Sequence, residues 1–331
     1  MEFSSFIKSC LYLLEEKYQL AFEELKSIVA KSDAPKEAYI LVGSVLRKNG
    51  EYRKAIHIHE SLVGDKSFDG RLNKILFFEL VKDYKESKDY EKSLYYANKL
   101  LAIDKSPVVY KYIYKLNLLM KNYDEAFKFL EKYQKITKNN YAKELSYILY
   151  EKYMATDKKD ESLLKKSLKI YPENRASNIA FYDIVFSSGK KTKIIETFDD
   201  LLKRKVIKTE KDLKKFENDF FALGLFKEFE SAIFKKVAQM SSNPVYTVYC
   251  ASMFKKKNNI EKAREILVRY LNEAGEKKIV KNRLLDILLP EELKMKFKSS
   301  DIYVCAGCNN YFGEYSEYCP VCGQIETLDF A

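Results

Sequence analysis

The sequence LVGSVLRKNGEYRKAIHIHESLV, residues 41–63, carries the signals of one helical hairpin and decides the fold. Asn49 and Gly50 tolerate the left-handed backbone conformation that ends many helices, so the first helix should stop there. Ala55 lies where the second helix would cross the first, and a larger side chain would hold the two axes apart. Gly43 is expected at the same point of close packing. The stretch therefore predicts two antiparallel helices in close contact.

The same pattern recurs along the chain with a period near that of one hairpin. The small residue at the predicted crossing recurs as Ala21, Ala55, Ser93, Ala126 and Ala263. The first three spacings are 34, 38 and 33 residues, and a tetratricopeptide repeat has a period of about 34 residues. A single pair cannot bury its apolar face, so stacked pairs must supply the core. The sequence thus predicts an all-α, tetratricopeptide-repeat superhelical solenoid.

We predict about eight helix pairs over residues 1–277. The pairs are placed at roughly 2–35, 36–73, 74–106, 107–140, 141–174, 175–208, 210–243 and 244–277. A capping helix is expected over 278–289, because the last pair would otherwise expose its stacking face. Residues 291–298 would form either a short helix or a linker and complete the segment 278–300. Residues 301–331 form the third predicted domain.

That last domain contains two C-x-x-C pairs separated by ten residues. The four predicted metal ligands are Cys305, Cys308, Cys319 and Cys322. Two such turns facing each other make a tetrahedral four-sulfur site, which suits one zinc or one iron ion. Gly323, and Asn309 at the equivalent position, should adopt positive φ. A polar segment of this size has too small an apolar core to fold without a cross-link such as a bound metal. We therefore predict a rubredoxin-like or zinc-ribbon module with a structural metal.

Residues 41–63 and the cysteine segment together resemble the LapB (YciM) family, lipopolysaccharide assembly protein B. In that family a G-x-x-x-R-x-x-G-E segment runs into A-I-x-I-H-x-x-L, and this chain matches both from Gly43 to Leu62. The segment from Tyr303 to Cys322 looks like the closing ribbon of the family. The resemblance covers essentially the whole chain, and it is strongest at 1–105 and 301–323.

The resemblance implies an adaptor that links the deacetylase LpxC to the membrane protease FtsH and so regulates lipopolysaccharide output. Family members face the cytoplasm at the inner membrane and usually begin with a transmembrane helix, whereas residue 1 here falls near the first repeat. No stretch of about 20 apolar residues is present, so we expect no transmembrane segment and a cytoplasmic protein. The alternatives are a shortened soluble member that docks peripherally at the inner membrane through partners, and a true start upstream of residue 1. The sequence leaves the oligomeric state open, and a homo-oligomer is one alternative.

The first helix of each pair lines the inner face of a tetratricopeptide array. Six residues on that face are candidates for partner binding: Ser44, Arg47, Lys82, Lys85, Lys111 and Lys115. Arginine and lysine there would favour an acidic peptide or a C-terminal carboxylate. The alternative is a solvated face without a ligand. His59 falls at a packing position, so it is expected to be a buried imidazole whose hydrogen bonds are satisfied.

Composition and motifs restrict the remaining function classes. No G-x-S-x-G, P-loop or G-x-G-x-x-G motif is present, so we predict that the protein is not an enzyme. The net charge of +11 comes from 59 basic residues interleaved with 48 acidic ones. Nucleic acid is not expected as a partner, because residues 301–331 contain no lysine or arginine. A generic repeat scaffold with other protein clients remains the main alternative to the adaptor, and a nucleic-acid-associated zinc-ribbon protein is the less favoured one.

Overall fold

The computed structural model describes residues 2–31, 33–66, 68–239, 243–289, 302–326 and 328–331. The chain divides into two compact units, Met1–Tyr141 (unit 1) and Ala142–Ala331 (unit 2). The small module that contains the cysteines therefore belongs to the same compact unit as the helices of the second half.

Unit 1 consists of consecutive helix pairs within the residues that the structure describes. Its helices are α1 (Glu2–Leu14), α2 (Tyr18–Val29), α3 (Lys36–Lys48), α4 (Tyr52–Ser61), α5 (Gly70–Glu86), α6 (Tyr90–Ile103), α7 (Pro107–Leu119) and α8 (Tyr123–Thr137). The helix α5 begins at Gly70, four residues before the predicted pair boundary at 74. The reason is Asp69, whose side chain accepts a hydrogen bond from the backbone N–H of Leu72 and caps the helix there.

Unit 2 continues the helix pairs and ends in a small antiparallel sheet. Its elements are α9 (Ala142–Ala155), α10 (Glu161–Ile170), α11 (Arg175–Ser187), α12 (Lys191–Lys203), α13 (Glu210–Ala222), α14 (Phe226–Ala238), α15 (Pro244–Lys256), α16 (Ile260–Ala274), α17 (Lys278–Leu288), β1 (Tyr303–Cys305), β2 (Tyr311–Phe312) and β3 (Leu328–Phe330). The strand order is β2-β1-β3. The short helix or linker predicted over 291–298 lies outside the described residues.

The small residues at the helix crossings are buried as the packing argument requires. Ala21, Ala55, Ser93, Ala126 and Ala263 are all fully buried. Because no larger side chain stands between them, the two helices of each pair can approach closely. The sequence period therefore marks the contact points within the pairs.

Gly43 packs directly against the ring of His59. A Cβ atom at position 43 would lie 2.4 Å from Nε2 of His59. The ring cannot easily move, because Nε2 lies 2.9 Å from the carbonyl oxygen of Ile40 and Nδ1 lies 2.5 Å from Oδ2 of Asp83. His59 is fully buried. The expected satisfied core imidazole is confirmed, and it explains why a glycine faces it.

The predicted fold class is confirmed. The chain is an all-α array of helix pairs followed by a small C-terminal β module with four clustered cysteines. After the last pair, α17 packs on α15 and α16 and buries Val280 in their apolar cluster. Among the described residues, no helix combines the length and the apolar character needed to cross a bilayer.

Candidate metal centre and its contacts

The four predicted ligands come together in the β module. Cys305 ends β1 and Cys308 lies in the turn that follows. Cys319 and Cys322 occupy a second turn, which begins next to the isolated bridge between Tyr318 and Ile325. All four sulfur atoms lie within 4.8 Å of one another. The four cysteines that sequence spacing singled out therefore lie close together.

The two cysteine turns have the same backbone structure. The N–H of Asn309 donates to the carbonyl oxygen of Cys305, and the N–H of Gly323 donates to that of Cys319, both at 2.8 Å. Asn309 has φ of 57° and Gly323 has φ of 68°, so both residues adopt the left-handed conformation that was predicted for them. Each turn thus curls its two thiols to one side.

Backbone N–H groups point at the sulfur atoms. The N–H of Gly307 lies 3.3 Å from Sγ of Cys305, and the N–H of Cys322 lies 3.5 Å from Sγ of Cys319. Burial by itself would raise the pKa of Cys319, but the N–H groups of Cys322 and Val321 outweigh it and lower that pKa. These donors favour the thiolate form that binds metals.

The sulfur spacing fits a tetrahedral ion. Sγ of Cys305 lies 3.7 Å from that of Cys322, and Cys308 is equally far from Cys319. Zinc–sulfur bonds of about 2.3 Å would place tetrahedral sulfurs about 3.8 Å apart. The N–H of Gln324 favours the Cys322 thiolate, yet burial and the neighbouring thiols raise its pKa to about 12. A bound cation would favour the thiolate form of all four cysteines, so the residues present fit a metal ion.

Two glutamates beside the cysteines fasten the module to the helices of unit 2. The hydroxyl of Tyr147, on α9, lies 2.9 Å from Glu317 and 2.6 Å from Glu326. Glu326 also accepts, at 3.0 Å, the N–H of Arg175 at the first residue of α11, where the helix dipole favours a negative charge. The guanidinium of Arg175 pairs with Glu317 and, at 2.5 Å, with Asp212 of α13.

Further contacts surround this network. Nζ of Lys143 donates to the carbonyl oxygens of Ile325, at 2.5 Å, and Glu326, at 3.2 Å. The hydroxyl of Tyr303 donates to the carbonyl oxygen of Lys208 at 3.2 Å. Tyr303 and Cys305 also lie in the apolar cluster that α11 to α15 build. The helices therefore supply much of the core that the small module could not form alone.

Tyr147 and Arg175 keep their ordinary protonation states in this network. Burial and the carboxylates of Glu317 and Glu326 raise the pKa of Tyr147. Burial alone would lower the pKa of Arg175, but Asp212 and Glu317 outweigh it and raise that pKa. Tyr147 therefore remains a donor and Arg175 a cation. Sequence analysis did not identify these residues, although the lack of lysine and arginine in 301–331 was a signal that the module faces basic residues.

Three of the six candidate partner-binding residues are engaged within unit 1. Arg47 is buried and pairs with Glu79 at 2.5 Å and with Asp83 at 2.7 Å. Ser44 donates to Glu79 at 2.8 Å, and Lys82 pairs with the same carboxylate at 2.7 Å. Burial by itself would raise the pKa of Glu79, but Arg47 and Lys82 outweigh it and lower that pKa to about 2. These side chains join α3 to α5.

The other three candidates are lysines that remain accessible. Lys111 and Lys115 are exposed on α7, and Lys85 is partly exposed on α5, where it pairs with Glu86 at 3.1 Å. Loss of hydration and the nearby charges of Lys111 and Lys85 lower the pKa of Lys115. The structure thus separates the predicted set into an internal ionic group and an accessible lysine group.

Comparison with known proteins supports the resemblance inferred from the sequence. No family model matches the chain. Three curated relatives from Escherichia coli strains, each named lipopolysaccharide assembly protein B, are 19% identical over 96% of this chain and 86% of their own length. A crystal structure of a tetratricopeptide repeat protein from Parabacteroides merdae aligns with 14% identity and a TM-score of 0.41, over 89% of this chain and 98% of the other. The resemblance to the lipopolysaccharide assembly protein B family is confirmed along nearly the whole chain.

Proposed function

From this similarity we propose that the protein is a non-catalytic adaptor that regulates lipopolysaccharide biosynthesis. It would link the deacetylase LpxC to the protease FtsH through its repeat surface and its metal module. The observation that carries the proposal is the similarity over 96% of the chain. By the same resemblance, the protein would act in the cytoplasm, peripherally at the inner membrane.

Within this proposal the four cysteines bind one structural zinc or iron ion. The ion would be bound tetrahedrally by Cys305, Cys308, Cys319 and Cys322, and it would stabilise the fold by cross-linking the two cysteine turns. The support is the sulfur spacing together with the packing of the module on the helices of unit 2. Metal analysis of natively purified protein, with a check for the red colour of a four-sulfur iron site, would distinguish the two ions.

The adaptor proposal is tested in native cells with a tagged full-length chain. We expect the chain to enrich both LpxC and FtsH, and we expect deletion of its gene to lengthen the half-life of LpxC. Cells with the untagged chain provide the control for non-specific capture. If neither protein is enriched and the half-life of LpxC does not change on deletion, the proposal is wrong. Reproducible enrichment of other clients alone would instead support a generic scaffold.

A further inference from the structure

The accessible lysines of unit 1 form a cluster of like charges, which we call the lysine cluster: Lys85, Lys111 and Lys115. Lys111 and Lys115 are one helical turn apart on α7 and lie on the same side of that helix. Lys85 comes from α5, the first helix of the preceding pair. The ring of Phe78 on α5 lies 5.2 Å, centroid to centroid, from that of Tyr112 on α7, so the two helices that carry the cluster are neighbours here.

Lys111 and Lys115 lack the carboxylate counterions that several other lysines of unit 1 have. Lys36, Lys54, Lys74 and Lys128 each pair with a carboxylate of the same unit. Among the residues that the structure describes, neither Lys111 nor Lys115 has a carboxylate within ion-pair distance. Like charges that are close together destabilise a folded chain, so an external anion would relieve the repulsion.

Aromatic side chains lie beside the lysine cluster. Tyr112, which follows Lys111, is half-buried and meets Phe78 edge to face, with ring centroids 5.2 Å apart. Nζ of Lys82 lies over the ring of Phe78, 4.4 Å from its centroid. The surface therefore offers ammonium groups next to apolar ring atoms, which suits a ligand that carries both carboxylates and apolar side chains.

We propose that the lysine cluster binds an acidic segment of a partner protein, with carboxylates on Lys85, Lys111 and Lys115 and apolar side chains on Tyr112. The proposal rests on the adaptor function above and specifies the chemistry of the client segment. A protein segment fits better than an anionic membrane, because the exposed carboxylate of Glu86 stands next to Lys85. A membrane surface of like charge would be repelled there, whereas a polypeptide can place its carboxylates away from it.

The test uses the full-length, metal-loaded chain and a fluorescein-labelled synthetic peptide of alternating glutamate and leucine. Its counterpart has glutamine in place of glutamate. We expect the acidic peptide to bind at least about ten-fold more tightly than the glutamine peptide at low salt, and to lose affinity as salt is added. The double variant Lys111→Glu with Lys115→Glu should weaken binding at least about ten-fold. Replacement of both by glutamine should have a smaller effect in the same direction.

A matched control is the double variant Lys132→Glu with Lys135→Glu on α8, which makes the same change in net charge. Its affinity for the acidic peptide should stay within about two-fold of the wild type. Equal losses in both glutamate variants, or equal binding of the two peptides, would overturn the proposal. Binding of the wild type to phosphatidylglycerol vesicles but not to the acidic peptide would identify a membrane surface instead.

The outcome separates this inference from the adaptor proposal. If the Lys111/Lys115 double glutamate variant, folded as judged by circular dichroism, still enriches LpxC and restores its turnover in deletion cells, the lysine cluster is not the client site. The adaptor function would stand in that case. If the peptide results are as expected, but neither LpxC nor FtsH is enriched and deletion leaves the half-life of LpxC unchanged, the binding chemistry stands and the adaptor proposal is wrong.

Discussion

Each unit contains an arginine held by carboxylates, and the two groups differ in what they join. The Arg47 cluster comprises Arg47, His59, Glu79 and Asp83. The Arg175 cluster comprises Tyr147, Arg175, Asp212, Glu317 and Glu326. Partners in the first are at most 36 residues apart, which is close to one repeat. In the second, Arg175 reaches Glu317 across 142 residues and so connects helices to the metal module.

Arginine–carboxylate pairing thus joins neighbouring helix pairs in unit 1, whereas in unit 2 it joins helices to the metal module. The Arg47 cluster is nearly inaccessible to solvent, because Asp83 is fully buried and Arg47 is 8% exposed. It holds one helix pair against the next. The Arg175 cluster is more accessible, with the side chain of Glu317 23% exposed. It also takes two of its carboxylates from the module. Its formation therefore depends on a folded module, whereas the Arg47 cluster depends only on neighbouring repeats.

Loss of the metal should disrupt the Arg175 cluster and leave the Arg47 cluster intact, which is the largest difference that we expect between them. Cys305→Ser, or chelation, should unfold the module and leave Arg175 without Glu317 and Glu326. Structural zinc sites contribute about 10–16 kcal/mol in small domains, so we expect near-complete unfolding of the module. Amide exchange should rise in 302–331 and at the start of α11, and stay unchanged in α3 to α5. Cys10→Ser, outside the site, is the control; equal protection of 302–331 in both variants would contradict a structural metal.

Replacement of each arginine should show which of the two clusters contributes more to the stability of its unit. Arg47→Met leaves Asp83 buried without the guanidinium and Glu79 with Lys82 as its remaining cation, which should cost about 3–5 kcal/mol. Arg175→Met should cost less, because solvent can reach Glu317. Amide exchange of α3 to α5 and of α11 to α13 measures each loss separately. A larger loss at Arg175 than at Arg47 would show that burial does not set the order.

Acid should weaken the Arg47 cluster through Glu79. Its pKa is about 2 in the folded protein, below the ordinary 4.5, so the stabilisation is complete above about pH 4.5 and is lost as pH falls toward 2. The full loss would be about 3 kcal/mol. Urea unfolding followed by circular dichroism should show a larger difference between neutral and acidic conditions for the wild type than for Glu79→Gln. The same pH dependence in both proteins would exclude Glu79 as the source.

The smallest expected effect is at Tyr147. Tyr147→Phe removes one hydroxyl that lies within donating distance of two carboxylates, which should cost about 1–2 kcal/mol. Because Arg175 and Lys143 still hold the module, it should keep its metal and show only moderately faster amide exchange. A wild-type exchange rate in Tyr147→Phe would mean that the hydroxyl contributes no net stability. Loss of the metal would mean that the contacts of Arg175 and Lys143 cannot hold the module without that of Tyr147.

Several features could be predicted because they depend on local spacing. The small residues at the crossings, the cysteine pairs and the positive φ of Asn309 and Gly323 follow from short-range geometry that residue types reveal. The role of Arg47 could not be predicted in this way. Repeat spacing placed it on the inner face, but Glu79 and Asp83 on the next pair turn its guanidinium inward. Lys111 and Lys115, which were predicted for the same face, have no such carboxylates and stay accessible.

The sequence by itself determined the all-α repeat class, the helix pairs and the four-cysteine site, because periodicity and ligand spacing act over short stretches of chain. Only the tertiary structure decided which charged residues are compensated and where the cysteine module docks. The contact of Tyr147 with Glu317 spans 170 residues, and no local pattern encodes such a pairing. It forms because a small module without enough core of its own gains burial and ion pairs on the helices of unit 2.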